Sequence, residues 1–223
     1  MSRQMHTNQD AQNSNALTHL ARLSDFIFAL AMALTFWRFD LPEHAEMLAK
    51  VEINQFLVSQ LKPLGAYLIT FVLVAVYWIA HTQQFSYYKR TNEAHLWIYT
   101  LYLMCLFLVP YSNELALVFS DNSIAKVCFA VNISLIGVLS FASWNYATYQ
   151  HRLVDESLDA QTITVMKVKA LIEPICAMVA IAIALFAPAW SDLAWLLFPL
   201  VYFTLRKLLA IPQKPNQTTH SAQ

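Results

Sequence analysis

The chain has 223 residues, 58% of them apolar and 13% charged, with a mean hydropathy of +0.44 and a formal net charge of zero. A soluble domain carries roughly one-quarter charged residues, so this composition excludes one and points to the lipid bilayer. Zero net charge argues against a nucleic-acid partner. Only two glycines occur, Gly65 and Gly137, which leaves no phosphate-cradling loop, no Gly-x-x-x-Gly packing face and little material for unwound transporter helices.

Residues 1–19 are polar and lack the apolar core of a signal peptide, so the first span itself is expected to act as the insertion signal. Apolar stretches near the ~20 residues needed to cross the hydrocarbon core follow at 21–39, 64–81, 96–119, 124–149, 165–187 and 190–205, each bounded by charge or proline. None alternates as a barrel strand would. The expected fold is all-α: a polytopic membrane protein of six transmembrane helices forming one domain over 20–210, with a disordered tail over 211–223.

Segment 43–61 mixes charge with apolar residues and reads as an amphipathic helix outside the membrane between the first two spans. The stretch 152–164 can extend the fourth helix into the cytosol, and only Pro188 and Ala189 separate the last two spans, which makes them a tight antiparallel pair. With the N-terminus inside, ten of the 14 Lys and Arg residues fall on the cytoplasmic side and Arg38, Lys50, Lys62 and Lys126 fall outside. Cytoplasmic loops retain positive charge, so both termini are expected in the cytoplasm, in the plasma or inner membrane.

The first span repays a closer look. Residues 21–42, A-R-L-S-D-F-I-F-A-L-A-M-A-L-T-F-W-R-F-D-L-P, place Asp25 within an apolar stretch long enough to cross. An ionisable group at membrane depth costs at least ~2.5 kcal/mol and usually faces protein, a partner or water. On a helical wheel Leu23, Ile27, Leu30, Leu34 and Trp37 fall within roughly a quarter of the circumference, and Asp25 lies about half a turn away. The stripe and the carboxylate therefore need different partners. Such a stripe suits lipid contact or bundle core; it also suits copies of the helix around an axis, whose branched side chains would form hydrophobic rings.

The run R-L-S-D-F-I-F-A-L-A-M-A-L followed by L-P resembles the first helix of the transmembrane protein 175 potassium channels, whose signature is Arg, three variable residues, then Phe-Ser-Asp, and an Ala/Ile-rich stretch ending near a proline. Y-W-I-A-H-T-Q-Q-F at 77–85 is similar to the family's Trp-x-x-His ending of the second helix, and L-F-L-V-P-Y at 106–111 to its third-helix Leu-Leu-Pro-Phe element. The chain departs from the signature at Leu23, which replaces the motif Phe, and at His19, which stands where Arg is expected while Arg22 lies three before Asp25.

The resemblance implies a homotetramer whose first helices line a central pore and pass potassium without a bound cofactor. It puts the narrowest ring at Leu30, five residues beyond Asp25, with further pore-facing positions at Leu34 and Trp37. A family position eight beyond the Asp, often hydroxylated, is Ala33 here. It also implies a polar network, here Arg22, Ser24, Asp25 and His81, bracing the pore helix in register; a buried carboxylate needs such donors to stay ionised.

Elsewhere, Glu173 precedes Pro174 two turns into the fifth span, either as a hinge or proton site or paired with Lys169 one turn earlier. Trp78 and Trp97 read as interfacial anchors. The seven histidines form no i, i+4 pair facing a bundle core, and Cys105, Cys128 and Cys176 lie far apart within spans, so neither metal nor disulfide is implied. No Ser/His/Asp or Cys/His set suggests hydrolysis, and the chain is not expected to be an enzyme. The rival reading is a proton-coupled secondary transporter using Asp25, His81 and Glu173 as a relay.

Overall fold

The computed structural model describes residues 2–38 and 50–191. The sixth expected span beyond Ser191, the residue 43–49 part of the amphipathic segment and the tail 211–223 lie outside the described residues. The described chain is helical throughout: α1 (Ser2–Leu34), α2 (Lys50–Ser59), α3 (Leu61–Phe85), α4 (Glu93–Phe107), α5 (Val109–Val118), α6 (Ser123–Thr148) and α7 (Ala160–Phe186). Five stretches are long and apolar enough to cross a membrane: Asn13–Leu34, Glu52–Phe85, Glu93–Val118, Ser123–His151 and Ala160–Phe186. Their depth in the bundle sets which faces can reach a partner.

Two features depart from the expected elements. The amphipathic segment, over its described part, is not a separate surface helix. Gln60 keeps right-handed helical angles, and the bonds Gln60 N to Phe56 O (3.1 Å) and Leu64 N to Gln60 O (2.9 Å) carry the helical ladder from α2 into α3. The third span is broken: α4 ends at Phe107 and α5 starts at Val109 with a proline in its first turn. Pro110 has no N–H for the Leu106 carbonyl and its ring crowds that turn.

Side-chain caps set where the later helices start. The side-chain oxygen of Asn92 accepts from His95 N (3.1 Å), and that of Asn122 from Ile124 N (2.9 Å) and Ala125 N (3.1 Å). Asp159 caps α7 by accepting from Thr162 N (2.7 Å) and Thr162 Oγ1 (2.8 Å), and these donors hold its carboxyl below the usual carboxylate range. A group held low in the folded state contributes stability above its unfolded pKa and loses it as pH falls through the folded value. We expect Asp159→Ala to lower the melting midpoint at neutral pH, with the gap to wild type closing in acid. A gap that does not change with pH would show that the carboxylate is not the cap.

The main core lies between α1, α3, α4, α5 and α6, around Phe28, Val74, Tyr99, Leu106 and Ile136. At one end the α3–α4 loop pairs with the segment after α6: Tyr88 bridges Val154 and Lys89 N donates to Leu153 O at 2.9 Å. The same end receives α1, because Thr91 N donates to Asn13 O at 3.4 Å and Leu17 packs against the cluster of Tyr88 and Trp144. Lys89, Arg90 and Arg152 gather here, alongside the carboxylates Glu93, Asp155, Glu156 and Asp159. In the other half, Asn113 Nδ2 donates to Thr70 Oγ1 (2.6 Å) and Asn132 Nδ2 to Ser112 Oγ (3.1 Å), tying α5 to α3 and to α6.

Candidate functional site

Helix α1 buries one face and leaves the next one partly exposed. Leu20, Ser24, Phe28, Ala31 and Thr35 are buried, at the spacing i, i+4, i+8, i+11, i+15 that keeps them on one side. The apolar stripe sits about a quarter-turn round the helix from that face. Leu23, Leu30 and Leu34 remain 46%, 36% and 37% exposed in the protomer, and Ile27 is half-buried. Trp37 falls in the 3-10 turn Thr35–Arg38 that follows α1, so it no longer continues the α-helical stripe in register; its side chain lies outside the described residues.

Asp25 lies on the far side of the buried face. Its Oδ1 accepts from Trp78 Nε1–H on α3 at 3.0 Å. Trp78 therefore holds α3 against the α1 carboxylate, a contact the anchor reading of this residue did not contain. His81, one turn further along α3, is buried and hydrogen-bonds through Nδ1 to the Tyr99 hydroxyl on α4. Its ring also packs on Phe28 of α1 (centroids 5.2 Å apart) and on Phe85 (4.3 Å). Ser24 turns its hydroxyl back to the Leu20 carbonyl of its own helix at 2.8 Å, and Arg22 is exposed. Of the expected network, then, Asp25 and His81 each reach across helices, to Trp78 and to Tyr99, while Ser24 bonds within α1.

We expect Trp78→Phe to destabilise the protein by about 1 kcal/mol, the usual net worth of one hydrogen bond. Asp25→Asn keeps an acceptor oxygen and should cost less. Thermal unfolding in detergent reads both; a larger loss for Asp25→Asn would show that the charge, not the bond, matters.

Glu173 is half-buried midway along α7, near the hydroxyls of Tyr77 and Tyr102 and the Cys176 thiol. It thus faces a tyrosine pair rather than Asp25 or His81. Beside it Pro174 packs into α6 where Gly137 has no side chain: a Cβ on Gly137 would lie 2.4 Å from Pro174 Cδ and 2.9 Å from Glu173 Cβ.

A second polar knot, at the end of the bundle where the α3–α4 loop meets the segment after α6, went unassigned in the sequence. His95 is fully buried, bonded through Nδ1 to Thr91 Oγ1 (2.8 Å) and through Nε2 to Ser143 Oγ (2.9 Å), and Tyr88 reaches Ser143 at 3.1 Å. The available signal was spacing: His95, Tyr99 and Tyr102 recur at i, i+4, i+7 on α4, and all three are buried. Among the described residues no group of three or more His, Cys, Asp and Glu converges as a metal site.

Comparison with known proteins bears out the family resemblance. The family model described as "Endosomal/lysosomal potassium channel TMEM175" matches residues 19–110. A potassium channel of Chamaesiphon minutus is 24% identical over 200 residues, covering 88% of this chain and 98% of that one. A potassium channel of Streptomyces collinus is 28% identical over 141 residues, 61% of this chain and 67% of its own length. The human endosomal/lysosomal proton channel TMEM175 is 27% identical over 95 residues, 43% of this chain but only 19% of the human protein. The crystal structure of a variant of the potassium channel MtTMEM175, in complex with a nanobody fusion protein, has the same fold, with a TM-score of 0.60 over 86% of this chain and 89% of that one at 16% identity.

Proposed function

We propose that this chain, whose residues 19–110 match the TMEM175 family model, is a passive potassium channel of the cell membrane, a homotetramer in which four α1 helices surround the conduit. The observation that carries the reading is the apolar stripe of Leu23, Ile27, Leu30 and Leu34, whose leucines stay partly exposed in the protomer beside a face that is fully packed. The exposed part of these leucines is what symmetry mates would cover. Brought together, Leu30 and Leu34 form two rings one helical turn apart, and water leaves so narrow an apolar neck unless it widens. Trp37 then lines the outer vestibule, both termini are cytoplasmic, and no cofactor takes part.

In this reading the braces have a clear task. Trp78 on Asp25 and His81 between Phe28 and Tyr99 fix the rotation of α1 about its own axis. A turn of the helix would swing the leucines off the axis. Arg22 and Ser24 belong to the same end of α1, Ser24 by closing that end's buried face.

The test is potassium current from the purified full-length chain in planar bilayers, with the reversal potential followed as potassium is exchanged for sodium. Unitary currents reversing near the potassium potential support the channel. Saturable, proton-dependent flux without unitary currents would replace it with the transporter that uses Asp25, His81 and Glu173.

A further inference from the structure

A groove of about 400 Å³ opens between α4 and α6 at the end of the bundle that carries Arg152. Its floor is apolar, with Ile98 of α4 and Val138 and Phe141 of α6, and its rim carries Tyr146, Tyr149 and Arg152. From Val138 to Tyr149 the α6 wall runs about 16 Å, close to half of the ~30 Å hydrocarbon core and so the depth of one leaflet. An acyl chain fits such a wall lengthwise.

The rim is built to hold a cation in place. After α6 the backbone enters the left-handed region at Gln150 and His151, both at φ 51°, a conformation that non-glycine residues adopt at a cost. This turn brings Arg152 back over α6, its guanidinium 4.4 Å from the centre of the Tyr146 ring and 5.6 Å from that of Tyr149. Arg90 Nε donates to the Arg152 carbonyl at 2.9 Å, which adds a second guanidinium to the same loop pair. Stacking engages the face of the Arg152 guanidinium and leaves its edge N–H groups for an oxyanion. Of the carboxylates at this end, Asp155 accepts from Ser157 N and Asp159 from Thr162 N, while Glu93 and Glu156 are exposed.

We propose that this groove binds one anionic phospholipid, its phosphate on Arg152 and Arg90 and one acyl chain along Ile98, Val138 and Phe141. A positive rim at one end of an apolar wall complements a negative headgroup on a hydrocarbon tail. A zwitterionic lipid would bring its own cation against the same arginines. The site depends on the chain crossing a bilayer and not on the pore.

The purified full-length protein, titrated with phosphatidylglycerol or with phosphatidylcholine of the same acyl chains, should show retained lipid by native mass spectrometry. Wild type should prefer phosphatidylglycerol, and Arg152→Gln should weaken that lipid about fivefold and narrow its preference over phosphatidylcholine. Val138→Trp fills the groove and leaves the cations intact; it should weaken both. Equal affinity of wild type for the two lipids, or an undiminished preference in Arg152→Gln, would overturn the site. So would a Val138→Trp variant that changes the oligomer's mass without changing lipid retention, which would assign the groove to a second copy of the chain.

Discussion

Leu30→Asn should give a channel that conducts more and discriminates less, with Leu30→Ala changing both in the same direction by a smaller amount. If Leu30 forms the narrowest ring, each subunit's substitution by Ala removes about 2 kcal/mol worth of apolar surface from the neck, and Asn adds a group that holds water there. A fall of only about 1.4 kcal/mol in the barrier to ion entry raises conductance about tenfold. The same loss of constriction lets hydrated sodium pass, so the reversal potential should move toward zero under biionic conditions. Leu30 is partly exposed within the protomer, so its truncation should disturb the protomer fold little. Ile69 of α3, 66% exposed, is the control: Ile69→Ala should leave conductance and selectivity unchanged. Currents from Leu30→Asn identical to wild type would remove Leu30 from the conduction path.

The largest stability effect is expected at Gly137. Alanine is favoured over glycine in a helix by about 1 kcal/mol, so the sign depends on packing. Here packing wins, because the added Cβ would lie 2.4 Å from Pro174 Cδ and 3.1 Å from Pro174 N. The ring is closed on its own backbone and has no rotamer to escape into. We expect Gly137→Ala to destabilise by about 3 kcal/mol, the upper end of ordinary overpacking, seen as a lower midpoint of thermal aggregation in detergent. Pro174→Ala in the same background should recover part of the loss, because the clash is with the ring; a double-mutant cycle isolates that coupling. If Gly137→Ala melts at the wild-type temperature, α6 and α7 do not meet at this register.

Much of the crossing architecture could be read directly. The first five apolar stretches map onto the five helical stretches long enough to cross, and the first-helix signature and the Trp-x-x-His element lie within the residues the family model matches. Boundaries were less legible where the chain stays helical across a polar step. Residues 50–59 continue into α3 because nothing at Gln60 stops the ladder, and the polar residues before Asn13 extend α1 because helix formation does not require an apolar face. The α4–α5 break was announced by Pro110, yet an uninterrupted apolar run concealed it.

The candidate site was legible in part for the same reason. Asp25 is conspicuous in any sequence because its charge is out of place in lipid, and His81 because its motif is. Trp78 stands in the same Trp-x-x-His element, but the motif does not say that its indole meets Asp25, and Tyr99 is an ordinary aromatic residue among many. His95 escaped notice because a histidine two residues inside a helix start carries no signature until Thr91 and Ser143 stand on either side of it.

The amino-acid sequence by itself settled the solvent, the helical class and the presence of one apolar stripe beside a misplaced carboxylate, since these depend on composition and on a 3.6-residue period. Only the tertiary structure decided which face of α1 is packed and which residues hold Asp25 and His81. A membrane helix is apolar nearly all round, so periodicity cannot choose its buried side. That choice falls to shape and to hydrogen bonds between residues some fifty positions apart, such as Asp25 and Trp78, which exist only once the helices have docked.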